Sequence, residues 1–467
     1  MSKLYVFAIG GTGSRVLRSF TMLMAAGVKL GNDISKVVPV IIDPDQANAD
    51  LTRAISLMNM YQGIRKQLTF PADNPNQFFR TEIGNVVRLV INGTNNMKFR
   101  DFVGLSTMDP QSEAMMRMLF SEKNLDSSMN VGFKGNPNIG SVVLNQIIGT
   151  AGFNAFAQSF QQGDYIFIIS SIFGGTGASG FPLLLKTMRY QDNFPNFANI
   201  NSAAIGAVTV LPYFNIKSND KSEIDSSTFI SKTISAMAYY ENNIVRDASL
   251  NALYYLADEA SANYDNHEGG DKQKNDAHLI EFLAATAIVD FTHNPNIPQN
   301  GSPIATSNRE FGVNNDGVIS FSSFSIKDRN RLYGPLTQFV LLSLCLTDQY
   351  KWFTSKEFNS YNPKTEDFLS TLKGYCEEYR RWLVEMKGNE RSLDLFNLSK
   401  DVKPAEVVTG VKAKKGFFGE LDYTGRKGIA NFLNKNFKDC KSNGEIDKCV
   451  EMYYKGTKEI VDDKFKK

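Results

Sequence analysis

Short runs that are apolar at almost every position recur through the first two thirds of the chain: Leu4–Ile9, Val37–Ile42, Asp164–Ser170, Ala203–Leu211 and Ala252–Ala257. A strand covered by helices on both faces has no polar side to present, so unbroken apolar runs of this length, bounded by turn residues, predict parallel strands. The stretches between them carry apolar residues at helical spacing. Strand and helix in alternation predict an α/β architecture, a Rossmann-like parallel sheet with helices on both faces.

Asn263 to Asn275, reading NYDNHEGGDKQKN, is polar and contains Gly, which predicts an exposed loop. The run Ala277–Phe291 that follows is apolar nearly all round, as a helix buried between two bodies must be. Beyond Asn294 the chain is rich in Asn, Pro, Gly and Ser, then predicts a strand at Val318–Ser325 and helices from Leu332 onward. From about Lys403 it is Lys-rich, which suits a loose tail. At 467 residues the chain is too long for one ordinary core. The expected division is residues 1–275 as a nucleotide-binding domain, 276–293 as a central connecting helix, and 294–467 as a second α+β domain, largely helical.

Composition narrows the function classes. With 42% apolar and 21% charged residues the chain reads as globular, without the bias of a disordered one. Lys and Arg (51) nearly balance Asp and Glu (49), so no broad basic field exists to hold a nucleic acid, and any anion site must be local. Cys345, Cys376, Cys440 and Cys449 contain no C-x-x-C pair, which argues against a zinc ribbon or disulfide scaffold and fits a reducing, cytoplasmic setting. Met1–Tyr5 runs straight into a strand with no secretory pattern, and no segment approaches ~20 consecutive apolar residues.

The opening strand ends in Gly10-Gly11-Thr12-Gly13-Ser14 and a helical pattern follows. Glycines at such a junction let backbone N–H groups approach a phosphate, and the helix N-terminus adds a favourable dipole. This turn alone leaves several readings open: a nucleoside triphosphate, a dinucleotide whose ribose is bound by Asp43, an adenylating enzyme using Asp43-Pro44-Asp45 with Asn48, or simply a tight turn with close helix packing. Asp43 and Asp45 equally suit a magnesium ion or a helix cap. A second turn, Gly174-Gly175-Thr176-Gly177-Ala178-Ser179-Gly180, follows the strand at Asp164–Ser170. One pyrophosphate turn serves a dinucleotide fold; a triphosphate gripped from two sides needs both.

This second turn resembles the Gly-Gly-Gly-Thr-Gly-Ser/Thr-Gly loop of the tubulin/FtsZ superfamily, with Phe173 in place of the first glycine and Ala178 shifting the end. Lys134-Gly135-Asn136-Pro137-Asn138-Ile139-Gly140 is similar to that family's Gly-Ala-Asn-Pro-x-x-Gly loop, and Ala207–Phe214 to its strand ending in Lys-Pro-Phe. Leu253–Glu259 stands where the family has Ile-Pro-Asn-Asp, and Asn275-Asp276 where an Asp or Asn touches guanine. The resemblance covers about residues 4 to 290, in the family's order, and is nearest to divergent prokaryotic tubulin-like proteins.

What the resemblance implies is a GTP- or GDP-binding protein, with Mg2+ as an accompanying ion, that assembles head to tail with itself into filaments. Gly10–Ser14, Gly135–Pro137 and Gly174–Gly180 would cradle phosphates, and Asn275 and Asp276 would read the base. Catalysis departs from the pattern. The family's Asn-x-Asp-x-x-Asp is missing after Phe291; its nearest spelling, Asn263–Glu268, precedes the helix, and Asp290, Asp316 and Asp328 are the other candidate acids. Slow hydrolysis is therefore expected. The histidines His267, His278 and His293 lie close in sequence, but without convergent geometry they read as ordinary surface or core residues. Val411–Phe418 mixes lysines with Phe417 and Phe418, which suits contact with an anionic membrane or an adaptor, or simply a solvated basic face.

Overall fold

The structure, a computed structural model, describes residues 2–94, 97–129, 132–217, 228–259, 263–265, 270–294, 307–310, 317–347, 363–399, 402, 406–411 and 426–464. Ten strands are described: β1 (Lys3–Ile9), β2 (Lys36–Ile42), β3 (Glu82–Ile83), β4 (Val87–Arg88), β5 (Tyr165–Ser171), β6 (Ala204–Val210), β7 (Asn215–Ile216), β8 (Ala252–Leu256), β9 (Asn263–Tyr264) and β10 (Ser307–Glu310). Eight form one parallel sheet in the order β10-β8-β6-β5-β1-β2-β3, with β4 also on β2, while β7 and β9 pair separately. The protein is thus α/β, with a largely helical C-terminal part.

Each of the five predicted strands forms, to within a residue at either end. Every residue of β5 and β6 is buried, as an apolar run covered on both faces demands. The run predicted as a buried helix is the helix Leu279–Thr292, and all of its residues are buried, Glu281 and Asp290 included. It lies against the first helix, Gly10–Ala25, and against β6 and β8.

Among the described residues past this helix, β10 joins the edge of the sheet and four helices follow: Ile326–Thr347, Pro363–Gly388, Arg426–Lys438 and Glu445–Lys464. Pro363–Gly388 packs on the first helix and, with Ile326–Thr347, on the segment around Phe78 and Phe79. Trp382 Nε1 donates to Ser19 Oγ at 3.1 Å, the Tyr375 hydroxyl to the Thr21 carbonyl at 3.3 Å, and Phe339 and Tyr375 pack edge-on against Phe78 and Phe79. One apolar cluster therefore runs from the sheet into the C-terminal helices.

Two expectations are corrected here. Val318–Ser325 is not a strand: Ile319 makes an isolated bridge to Leu393, and Phe321–Ser323 coils into a single 3-10 turn closed by Ser320 and Ser323. Serine side chains offer the backbone local hydrogen bonds that compete with a ladder. The Lys-rich end is not loose over residues 426–464, where two helices bury Leu433, Cys449, Tyr453 and Ile460 and leave Lys435, Lys438 and Lys458 exposed. Of Val411–Phe418, all but Val411 lies outside the described residues. No helix among the described residues is long and apolar enough to cross a membrane.

Candidate functional site

β1 and β5 are neighbours, Ala8 paired with Ile169, yet the chain leaves β1 toward β2 on one side and β5 toward β6 on the other. Their carboxyl ends open a crevice where the strand order reverses, the place where open α/β sheets collect ligands. Both glycine turns leave the sheet there. Gly10 starts the first helix with φ +68°, a backbone that side chains disfavour, and Gly175 starts the helix Gly175–Tyr190. A Cβ on Gly10 would lie 3.4 Å from Thr176 Cβ, so the two turns touch.

The starts of these helices lack the side-chain caps that several other helices carry. Asn48, Asp109, Thr150 and His278 cap the helices that follow them, accepting bonds from first-turn amides. Ile9 and Gly174 offer no side-chain cap, neither first turn contains an acid, and Asn136, before Pro137–Leu144, makes no capping bond either. First-turn N–H groups need acceptors, so uncapped starts converging on one cleft form an anion cradle. Gly175 is its tightest point: a Cβ there would sit 3.1 Å from the backbone nitrogens of both Gly135 and Asn136.

The cleft, about 160 Å³, is lined by Gly10–Thr12, Gly174–Gly177 and Gly132–Gly135, and on its far side by Asp43, Asp45, Gln273 and Asn275. Other predicted residues serve the cradle indirectly. Gly13 packs on the Ala8 backbone, Gly180 on Ile9, and the Ser179 hydroxyl turns back to the Gly175 carbonyl at 2.7 Å. Ser14 is buried in the first helix, while Pro137 and Ala178 face a different groove. Asp276 is exposed and does not line the cleft. Neither Asn275 nor Asp276 caps the central helix, because His278 does: its Nδ1 accepts from the Ile280 amide, and burial holds the ring neutral with a pKa of about 3.

Two carboxylates face the cradle. Asp45 is occupied, accepting from the amides of Ala47 and Gly270. Asp43 accepts from the Asp45 amide through Oδ1, and its buried Oδ2 has no partner. Burial raises Asp43 to a pKa of about 7, with the Asp45 amide bond and Arg88 opposing. The folded chain holds this proton more tightly than the unfolded chain, so Asp43's contribution to stability is full below about 3.8 and is lost as pH rises through about 7. Asp43→Asn is expected to gain on the order of 2–4 kcal/mol over wild type at pH 8 and little at pH 4. Urea unfolding at both pH values measures the difference, and an equal ΔΔG at the two would contradict it.

Beyond the acids, the cleft ends in a buried polar and aromatic cluster to which the Ala207–Phe214 motif contributes Tyr213 and Phe214. The Arg15 guanidinium pairs with Glu281, donates to the Tyr213 hydroxyl at 2.9 Å, and lies 5.8, 5.7 and 5.8 Å from the ring centres of Tyr213, Phe214 and Tyr264. Tyr213 donates to Glu281 Oε1 at 3.1 Å, and Glu281 Oε2 accepts the His278 amide. Phe214, Ile216 and Tyr264, carried partly on the β7–β9 pair, give the cleft an apolar wall. Opposite, Arg53 bridges Asp50, the Asn275 carbonyl and Glu385, so the backbone of Asn275 is fixed while its side chain faces the cleft.

Of the candidate acids, Asp265 lines the cleft, where it pairs with Lys217 at 2.7 Å, whereas Asp290 and Asp328 do not line it. Asp290 accepts from Lys327, Arg331 and Tyr254, which hold its pKa below the ordinary range against the effect of burial, and Asp328 bonds Ser325. Asp316 and Asn266–Glu268, with His267, lie outside the described residues. Among the described residues no cluster of His, Cys, Asp and Glu could hold a metal unaided.

No protein-family model matches the sequence, and no curated protein matches it. Among solved structures the chain is similar to tubulin-like proteins of the CetZ and FtsZ kinds. CetZ2 from Haloferax volcanii, a GTPgS-bound protofilament, is 13% identical over 62% of this chain and 58% of that one, with a TM-score of 0.30. FtsZ from M. jannaschii, an empty dimer, is 14% identical over 55% and 45%, at 0.27. CetZ1 from Haloferax volcanii, a GDP-bound monomer, is 14% identical over 55% and 51%, at 0.26. The chain spans about half the length of these proteins.

Proposed function

We propose that this chain is a divergent member of the tubulin/FtsZ superfamily that binds GTP in the glycine-turn cleft and assembles head to tail with itself. The observation that carries the reading is the meeting of uncapped helix starts, at Gly10 and Gly175, beside the Gly135–Asn136 amides. In this reading Gly10–Thr12, Gly132–Gly135 and Gly174–Gly177 hold the phosphates through backbone N–H groups. The orphan oxygen of Asp43 suits a donor or cation there, a ribose hydroxyl or Mg2+. A divalent cation would be held from the Asp43 and Asp45 side and would neutralise phosphate charge, taking its remaining ligands from phosphate and water. Residues 1–275 would form the nucleotide-binding domain, the central helix would connect it to the C-terminal part, and the setting would be cytoplasmic.

Release of bound nucleotide from the purified protein, followed by identification of the base, is the direct test. Asn275 is the described candidate for reading guanine, with Asp276 able to join only by turning in from solvent. Leaving the guanine donors unpaired costs about 1–3 kcal/mol, so GTP is expected to bind about ten- to a hundredfold more tightly than ATP, and Asn275→Ala to remove most of that preference. Equal affinity for the two nucleotides in the wild type would favour a nucleotide-dependent enzyme built on the first turn and Asp43.

Assembly follows from the same site. A contact of one face with a different face generates open filaments unless its rotation closes a ring. A ligand shifts such an equilibrium only through different affinities for its states, so GTP and GDP should differ in the polymer they support. With Asp290 and Asp328 engaged elsewhere and Asp265, at the cleft, paired with Lys217, turnover is expected to be slow and GTP filaments persistent. Pelleting with GTP, GDP and a non-hydrolysable analogue, beside phosphate release, tests both; a chain monomeric under every nucleotide would defeat the polymer, and rapid assembly-dependent release would reveal an unrecognised catalytic acid.

A further inference from the structure

Behind the glycine turns lies a second, roomier hollow. It runs between the helices Pro137–Leu144, Gly175–Tyr190 and Phe229–Tyr240 and measures about 600 Å³, within the range of small-molecule sites. Its floor is apolar, built by Ile172, Phe173, Leu183, Ala236 and Tyr240. Its lining also includes Lys186, exposed on one helix, and Lys232 on another, with Ser141 and Ser235, whose hydroxyls donate to the Pro137 and Ser231 carbonyls. Its described lining contains two lysines and no acid.

We propose that this groove is a ligand site for a small amphipathic anion, an aromatic or aliphatic body bearing one acidic group. The floor supplies a dehydrated surface for the body, worth roughly 25 cal/mol per Å² of apolar area removed from water. The lysines supply the complement to the acid, and a deep hollow with charge only at its walls selects a molecule with charge only at one end. The glycine backbone of the Gly175 turn opens on the other side, into the cleft.

The groove also shares its structure with the cleft. Phe173 lines both, and packs against Phe214 on the cleft side at 5.7 Å and Phe229 at 4.9 Å. Lys232 Nζ donates to the Gly135 carbonyl at 3.0 Å, so a groove side chain grips the loop that lines the cleft. The helix whose first turn forms the cradle presents Pro182, Leu183 and Lys186 to the groove one turn and more further along. An anion that draws on Lys232 alters its grip on Gly135, and linkage requires that nucleotide and groove ligand change each other's affinity by the same factor. This coupling, unlike the site itself, rests on the reading of the cleft as a nucleotide site.

The probe is 8-anilino-1-naphthalenesulfonate, an aromatic body with one sulfonate, titrated against the full chain with laurate as competitor. The expected result is saturable fluorescence with one dye per chain, displaced by laurate. Ala236→Trp fills the floor and should lower the saturable signal at least tenfold, while Lys186→Glu should weaken binding about fivefold with the fold intact by circular dichroism. Ile230, Ile234 and Met237 line the exposed face of the helix Phe229–Tyr240, at 69%, 65% and 39% exposure, and offer the dye a different place to sit. Saturation unchanged in both variants would put the dye on that stripe, make it a protein-docking face and overturn the groove. Dye affinity identical with and without GTP, in a chain that binds GTP, would overturn the coupling. Failure to bind GTP at all would defeat the reading of the cleft and leave the dye titration standing.

Discussion

Gly175→Asp is expected to abolish nucleotide binding, raising the dissociation constant at least a hundredfold, while the helices and sheet persist. Position 175 opens its helix without a cap, and its missing side chain is the space into which the Gly135 and Asn136 nitrogens and Phe133 Cβ crowd, each 3.1 Å from an added Cβ. A carboxylate there would take for itself the amides that would serve a phosphate and would repel the phosphate besides. The two losses can be separated. Gly175→Ala brings only the crowding, and a shift of a few tenths of an ångström can relieve it, so its loss should be about tenfold or less. Fluorescent GTP-analogue titration of both variants, beside their melting curves, gives the comparison. Undiminished binding by a folded Gly175→Asp protein would remove the cradle from the site.

The parts of this arrangement that the sequence makes legible are those dictated locally. A run such as YIFIISS in β5 has nowhere to lie except between two helical layers, and a helix whose every residue from Leu279 to Thr292 is buried must be nearly free of charge. Glycines directly after strands mark the turns for a similar reason: the left-handed backbone at Gly10 and the close approach at Gly175 disfavour a side chain. The order of strands is another matter. That β5 pairs with β1, bringing Gly175 beside Gly10, is fixed by long-range packing, and nothing in either segment specifies its neighbour.

The far end of the cleft was illegible for a related reason. Arg15 looks like an ordinary surface charge on its helix, and the aromatics that enclose it come from separate segments, at Tyr213, Phe214 and, on β9, Tyr264. The one available signal was Glu281 itself, an acid within the most apolar helix of the chain, since a charge there must be paired. Similarly, Asn275-Asp276 matched the family by position and were equally good caps by residue type, yet His278 takes the cap because its ring nitrogen reaches the Ile280 amide. Helix boundaries turn on such single bonds, which propensity cannot rank.

Arg15→Met is expected to destabilise the protein by about 3–5 kcal/mol, because it leaves Glu281 buried without its counter-charge. Arg15 and Glu281 are nearly inaccessible, with side-chain exposures of 6% and 2%, and the Tyr213 hydroxyl and His278 amide complete the acid's partners without neutralising it. Burial already raises the pKa of Glu281, and Arg15 is the main opposing influence. Removing Arg15 should raise it further. A carboxyl whose folded pKa lies above its unfolded value stabilises the fold while protonated and loses that contribution as pH rises. The deficit of Arg15→Met should therefore be greatest at neutral and alkaline pH and shrink toward pH 4–5 as Glu281 takes up its proton. Arg15→Met combined with Glu281→Gln removes both charges, so the double variant should recover much of the loss at pH 7 and show none of the extra pH dependence. Urea denaturation of the two single variants, the double variant and the wild type at pH 5 and 8 reads all of this as a cycle. Additive single-variant effects with no change in pH slope would mean that the pair is not coupled and that the cleft's inner wall is held by its aromatic rings alone.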